Sequence, residues 1–90
     1  MSLLVIRHKM KDFTAWERAY DAHASARVAG GLGKGRVTRS VDDPSELVLI
    51  FEVEDITKAK AFCASDDLKS AMQGAGVIDK PDLYFLNDAS

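Results

Sequence analysis

The sequence predicts one α+β domain with its elements in the order β-α-β-β-α-β. Three observations predict it. Four short segments are rich in branched and aromatic apolar residues, as strands are. Two segments between them carry a helical apolar period, and each opens on an aspartate. The sequence strand, Asp-led helix, strand occurs twice over, and 90 residues leave room for a single core spanning 1–90.

The elements follow in order. "LLVIRHKM" (Leu3–Met10) reads as the first strand. Asp12 is a suitable N-cap for the helix after it, whose period runs from Trp16 to Val28. Gly30 and Gly31 supply the left-handed residue that ends such a helix. "GRVTRSV" (Gly35–Val41) alternates and reads as the second strand, and "DDPSE" (Asp42–Glu46) is a turn by chemistry. "LVLIFEVE" (Leu47–Glu54) is the third strand. Asp55 caps a second helix through Ile56, Ala59, Phe62 and Cys63, and Ser65 opens a further turn or short helix that Gly74 and Gly76 end. "PDLYFLND" (Pro81–Asp88) is the last strand.

This order is the ferredoxin-like arrangement. Right-handed crossovers put both helices on one face of a four-stranded antiparallel sheet, with the first and third strands central. The alternation of those strands then carries a further implication. Leu47, Leu49, Phe51 and Val53 oppose Val48, Ile50 and Glu52, and Leu3 and Val5 oppose Leu4 and Ile6. A sheet covered on one side should be polar on the other. Here both faces are apolar, so the second face predicts a cover, and the simplest is the same face of another copy in a two-fold homodimer.

Composition excludes several classes. A net charge of −2 offers no pull toward nucleic acid or an anionic membrane. The runs "LLVI" and "LVLIF" are too short to span a bilayer, and the first residues lack the apolar stretch of a signal peptide. Cys63 is the one cysteine, which suits a reducing compartment, and the expected location is the cytoplasm. "GGLGKGR" (Gly31–Arg36) has the glycines of a phosphate loop but follows a helix and lacks Ser or Thr after its lysine, so it reads as a flexible connection. The third strand lacks the Gly-aromatic signature of an RNA-recognition motif. Glu52 is expected to pair with Arg7, Arg36 or Arg39 across the sheet.

The stretches "RHKMKDFTAWERAYDAH", "RSVDDPSELVLIFEVEDITKAKAF" and "LKSAMQGAGV…PDLYFL" resemble the dimeric α+β barrel superfamily. That group includes antibiotic-biosynthesis monooxygenases, small polyketide cyclases and short bacterial proteins of unknown function. The resemblance covers nearly the whole chain. It implies a homodimer joined through its sheets and a ligand cavity between helices and sheet. It also implies cofactor-free chemistry on a small apolar or aromatic molecule. The haem-degrading members use an Asn, a Trp and a His, with the Trp outside the first helix, a position that Trp16 does not match.

Candidate site residues come from the first helix. At about 100° per residue, Thr14, Glu17, Arg18, Asp21 and Ser25 face water, while Trp16, Ala19, His23 and Ala26 face the sheet. Tyr20 and Arg27 flank the inward stripe. Given a cavity on this side, His23 is the candidate base or proton shuttle, Trp16 and Tyr20 shape the walls, and Arg27 binds a carbonyl or acid group. Against this stands a plainer reading, in which His23 and Trp16 are packed core and Arg27 complements the helix dipole. His8 is the second candidate base. It shares a strand face with Leu4 and Ile6, and meets either the helices and His23 or the dimer interface. No carboxylate lies at ligand spacing from either histidine, so no metal is expected, nor any cofactor. Three functions follow: a monooxygenase- or cyclase-like enzyme, a non-catalytic ligand-binding or regulatory dimer, or a structural dimer without a cavity.

Overall fold

The computed structural model describes residues 1–89. Its elements are β1 (Ser2–Lys9), α1 (Phe13–Ala22), α2 (Ala24–Ala29), β2 (Leu32–Arg39), β3 (Glu46–Val53), α3 (Ile56–Cys63), α4 (Asp66–Gly74) and β4 (Asp82–Asn87). The sheet order is β2-β3-β1-β4, all pairs antiparallel, with β1 and β3 in the centre. This is the ferredoxin-like architecture that the sequence predicts, with each crossover built from two helices.

The helix starts have the predicted chemistry. The Asp12 carboxylate accepts from the Thr14 N–H at 3.1 Å, Asp55 from Lys58 N–H at 3.0 Å, and the Ser65 hydroxyl from Leu68 N–H at 3.2 Å. Each satisfies a backbone donor that the first helical turn leaves without a partner. The first helix departs from expectation. The continuous run from Trp16 to Val28 is broken at His23, whose φ of −98° and ψ of 10° interrupt the helical repeat. Arg27 supports the break: its guanidinium donates to the Tyr20 carbonyl at 2.6 Å, at the end of α1.

The segment read as a flexible connection is also different. β2 begins at Leu32, not Gly35, and "LGKG" is strand with a register shift between Leu32 and Gly35. The residues pair despite their poor strand propensity because β3 beside them is a long strand with free backbone groups on that edge.

Leu4, Ile6, His8, Leu47, Leu49 and Phe51 are buried on the helix side of the sheet. Trp16 of α1, Ala59 of α3 and Ala75 after α4 join the same core. The opposite face carries Leu3 and Val5 of β1, Val48 and Ile50 of β3, and Tyr84 and Leu86 of β4, which pair in adjacent rows. No helix covers these residues; Tyr84 and Leu86 are exposed and the others half-buried. The expected partner of Glu52 is not found. Among the described residues Glu52 forms no ion pair, and Arg7 instead reaches Asp82 at 2.7 Å, Asp79 at 3.0 Å and Glu46 at 3.7 Å. Glu46 lies opposite Lys9, beside Arg7, and Asp82 directly opposite Arg7, so the sheet register itself supplies Arg7 with carboxylates. No helix among the described residues is long and apolar enough to cross a membrane.

Candidate functional site

A cavity of about 60 Å³ lies between the sheet and the helices, and all five candidate residues, His8, Trp16, Tyr20, His23 and Arg27, line it. The choice left open for His8 falls to the helix side. Alternation along β1 puts it on the face of Leu4 and Ile6, where it is 2% exposed. The floor is Ile6, His8, Leu49 and Phe51 of the central strands; α1 and α2 supply one wall. Phe62, Leu68, Ala71 and Met72 of α3 and α4 line the cavity as well. The sequence places these four on the apolar periods of the second helix and the short helix after it, but does not mark them as part of a site.

The residues are ordered by depth. Trp16 and His8 are buried, and the Trp16 Nε1–H donates to His8 Nε2 at 3.0 Å. Burial pushes the His8 imidazole below its ordinary range; nearby Asp79 raises it and Arg7 lowers it, without reversing the direction. His8 Nδ1 is buried too, and no protein group among the described residues hydrogen-bonds to it. Tyr20 continues the aromatic wall. Its ring stacks on Trp16 with centroids 5.0 Å apart and lies 6.4 Å from Phe51. The Arg27 guanidinium sits 3.7 Å from the centroid of the Tyr20 ring, a cation–π contact that fixes the charge at the cavity edge.

His23 is not the central, deeply packed residue that an unbroken helix would make it. At the helix break it is half-buried, and its ring lies against Phe62 with centroids 5.9 Å apart. Among the described residues no group hydrogen-bonds to its imidazole. Neither ring nitrogen of His23 is engaged by a described protein group, whereas one nitrogen of His8 is. Cys63 is half-buried on α3, and burial pushes its thiol up, away from the reactive thiolate. No group of three or more His, Cys, Asp or Glu among the described residues is placed to hold a metal ion.

The ferredoxin-like fold of this chain recurs in solved structures of low sequence identity. A protein of Bordetella bronchiseptica, provisionally described as an antibiotic biosynthesis monooxygenase, superposes with a TM-score of 0.78 at 14% identity, covering 99% of this chain and 97% of that one. SnoaB of Streptomyces nogalater, described as a cofactor-independent oxygenase, superposes with a TM-score of 0.69 at 16% identity, over 98% and 94% of the two chains. A conserved protein of Methanosarcina mazei Go1 gives 0.71 at 12% identity, over 96% and 91%. These identities establish a shared fold, and one fold carries many chemistries. The sequence matches no protein-family model, and no curated protein is significantly similar to it.

Proposed function

We propose that this protein binds a small apolar or aromatic molecule between its helices and sheet, and acts on it as a cofactor-independent monooxygenase- or cyclase-like enzyme. One observation carries the reading: the two histidines, the two aromatics and the arginine selected from the sequence line a single cavity. In an apolar chamber a few polar groups fix orientation. Trp16 and Tyr20 form a flat aromatic wall, Arg27 receives a carbonyl or acid group at the edge, and His23 takes and returns a proton as general base. The cleft holds about 60 Å³, so a polycyclic substrate would place only one end inside it. The structural similarity to SnoaB, described as a cofactor-independent oxygenase, supports the oxygenase choice.

The functional unit in this proposal is a homodimer. Leu3, Val5, Val48, Ile50, Tyr84 and Leu86 form an apolar outer face that a second copy of the same face would cover. The absence, among the described residues, of any orienting hydrogen bond on the His23 ring favours a second reading, a ligand-binding dimer without catalysis.

Thermal-shift screening of small aromatic and polyketide-like compounds tests the cavity. A ligand at a hundred times its Kd adds about 2.7 kcal/mol to stability, a shift well within detection. Turnover of the hits by wild type and His23→Ala then separates the two readings. Binding with turnover that falls in the variant supports the enzyme; binding without turnover supports the second reading; a panel that leaves the melt unmoved overturns both.

A further inference from the structure

The buried histidine has a hydrogen-bonding pattern with only one consistent protonation state. An indole nitrogen donates and never accepts. The 3.0 Å bond from Trp16 Nε1 therefore requires a lone pair on His8 Nε2. A neutral imidazole with its lone pair on Nε2 carries its proton on Nδ1. A cationic ring would set an N–H against the Trp16 N–H, and burial opposes the charge as well. His8 thus has a buried N–H on the atom for which no protein acceptor exists among the described residues. Buried donors in native structures almost always have a partner, so one without a protein partner asks what it meets in the working protein.

We propose that Trp16 holds His8 as a fixed hydrogen-bond donor, and that the cavity takes a ligand presenting a carbonyl or enolate oxygen to His8 Nδ1–H. This deepens the ligand-site reading and rests on it, but it changes the role of His8 from base to donor. Abstracting a proton at Nε2 would first require breaking the bond to Trp16. The donor acts without proton transfer. A hydrogen bond to a carbonyl stabilises the negative charge that collects on oxygen when an adjacent C–H is deprotonated, and it costs no reorganisation because Trp16 has already set the tautomer. His23, half-buried and without a side-chain hydrogen bond among the described residues, is the group left for the proton itself. Ile6, Ala19, Leu49 and Ala75 of the cavity lining are apolar, so away from Arg27 at the edge the His8 Nδ1–H is the group that selects an acceptor oxygen over shape-matched hydrocarbon. Trp16 is here a positioning residue, acting through His8.

The test uses two probes of the same shape, cyclopentanone and methylenecyclopentane, whose C=O or C=CH2 end, though not the whole ring, enters a cavity of about 60 Å³, and which differ only in that group. Imidazole ¹H–¹⁵N correlations of the whole chain first give the tautomer. A protonated Nδ1 and bare Nε2 are expected at neutral pH, and Trp16→Phe should mix the two tautomers; an Nε2–H or cationic ring in wild type overturns the proposal. Cyclopentanone should then shift the His8 Nδ1–H resonance, and methylenecyclopentane should leave it in place. The ratio of their Kd values should move by about tenfold or more toward the alkene in His8→Leu/Trp16→Phe, which removes donor and positioner together and leaves no buried N–H unpaired. If that variant does not fold, the wild-type resonance decides. Equal binding of both probes, with an unchanged ratio, sinks the donor role and leaves the ligand site standing. If neither probe perturbs any cavity resonance, both readings fall.

Discussion

A histidine whose charge is disfavoured by burial makes stability depend on pH, and the sign can be worked out. The folded pKa of His8 lies below its unfolded value of about 6.5. Above that value the ring is neutral in both states and contributes no penalty. As pH falls, the unfolded chain takes up the proton first, so stability is lost progressively down through the folded pKa. Urea melts from pH 7.5 to 5 should therefore show falling stability, and the slope should be flatter in His8→Leu/Trp16→Phe. Asp79 does not confuse this window. Burial pushes its carboxyl up, but the Lys9 N–H and the Arg7 guanidinium outweigh burial and hold it below the ordinary carboxylate range. Asp43 is likewise held low, by Ser45 and Lys9. Both carboxylates lose their contribution only in more acid solution. His23 has a different expectation. Half-buried, beside Phe62 and without a side-chain hydrogen bond, it should be replaceable by alanine at less than about 1 kcal/mol in the same melts. A loss above about 2 kcal/mol would return it to the packed core and remove the general-base assignment.

At the level of elements, β2 shows how glycine shapes the site. A Cβ built on Gly35 would stand 2.6 Å from the Phe51 ring and 3.2 Å from the Tyr20 hydroxyl, both cavity-lining side chains. Gly35 lies opposite Phe51 in the register, and the missing side chain is the space into which that ring turns. Gly35→Ala should cost about 1–3 kcal/mol through overpacking. It should also displace the Phe51 and Tyr20 ring resonances, with β2 staying paired. A variant with wild-type stability and unmoved rings would show that β2 retreats freely and does not set the wall. These glycines also mark where the sequence was hard to read. Their low strand propensity hid the start of β2, because pairing with β3 is a tertiary effect that overrides local preference. The break at His23 had no Gly or Pro to announce it, and the Arg27–Tyr20 bond that supports it joins residues seven apart, which an unbroken helix would also put on one flank, so the period gives no sign of the break. The caps at Asp12, Asp55 and Ser65 were legible because each is a local side-chain to backbone bond. So were the inward position of Trp16 and the flanking position of Tyr20. Alternation put His8 with Leu4 and Ile6, but which face met the helices depends on packing, and the Trp16–His8 bond spans two elements.

For the whole molecule, the assembly prediction turns on the difference between two neighbours in β3. Phe51 points to the helices and is 2% exposed; Ile50 points to the outer face opposite Val5, with Tyr84 one strand further on. A charge at Phe51 has no partner in the core and cannot reach water, so Phe51→Asp should abolish folding at any protein concentration. A charge at Ile50 stays hydrated in a single chain and becomes buried only when a second sheet covers it. Ile50→Asp should therefore remain folded, with its His8 and Trp16 resonances in place. It should sediment near 9.8 kDa, whereas wild type at micromolar concentration is expected to sediment at about twice that mass. Its melting temperature should lose the concentration dependence that mass action gives a dimer. The polar flank supports the separation: Arg7 with Asp79 and Asp82 sits at one end of the outer face and remains satisfied within one chain, so losing the partner strands no buried ion. A wild-type chain that sediments as a monomer, with Ile50→Asp melting at the same temperature, would mean that the apolar outer face is tolerated in water and that one copy is the functional unit.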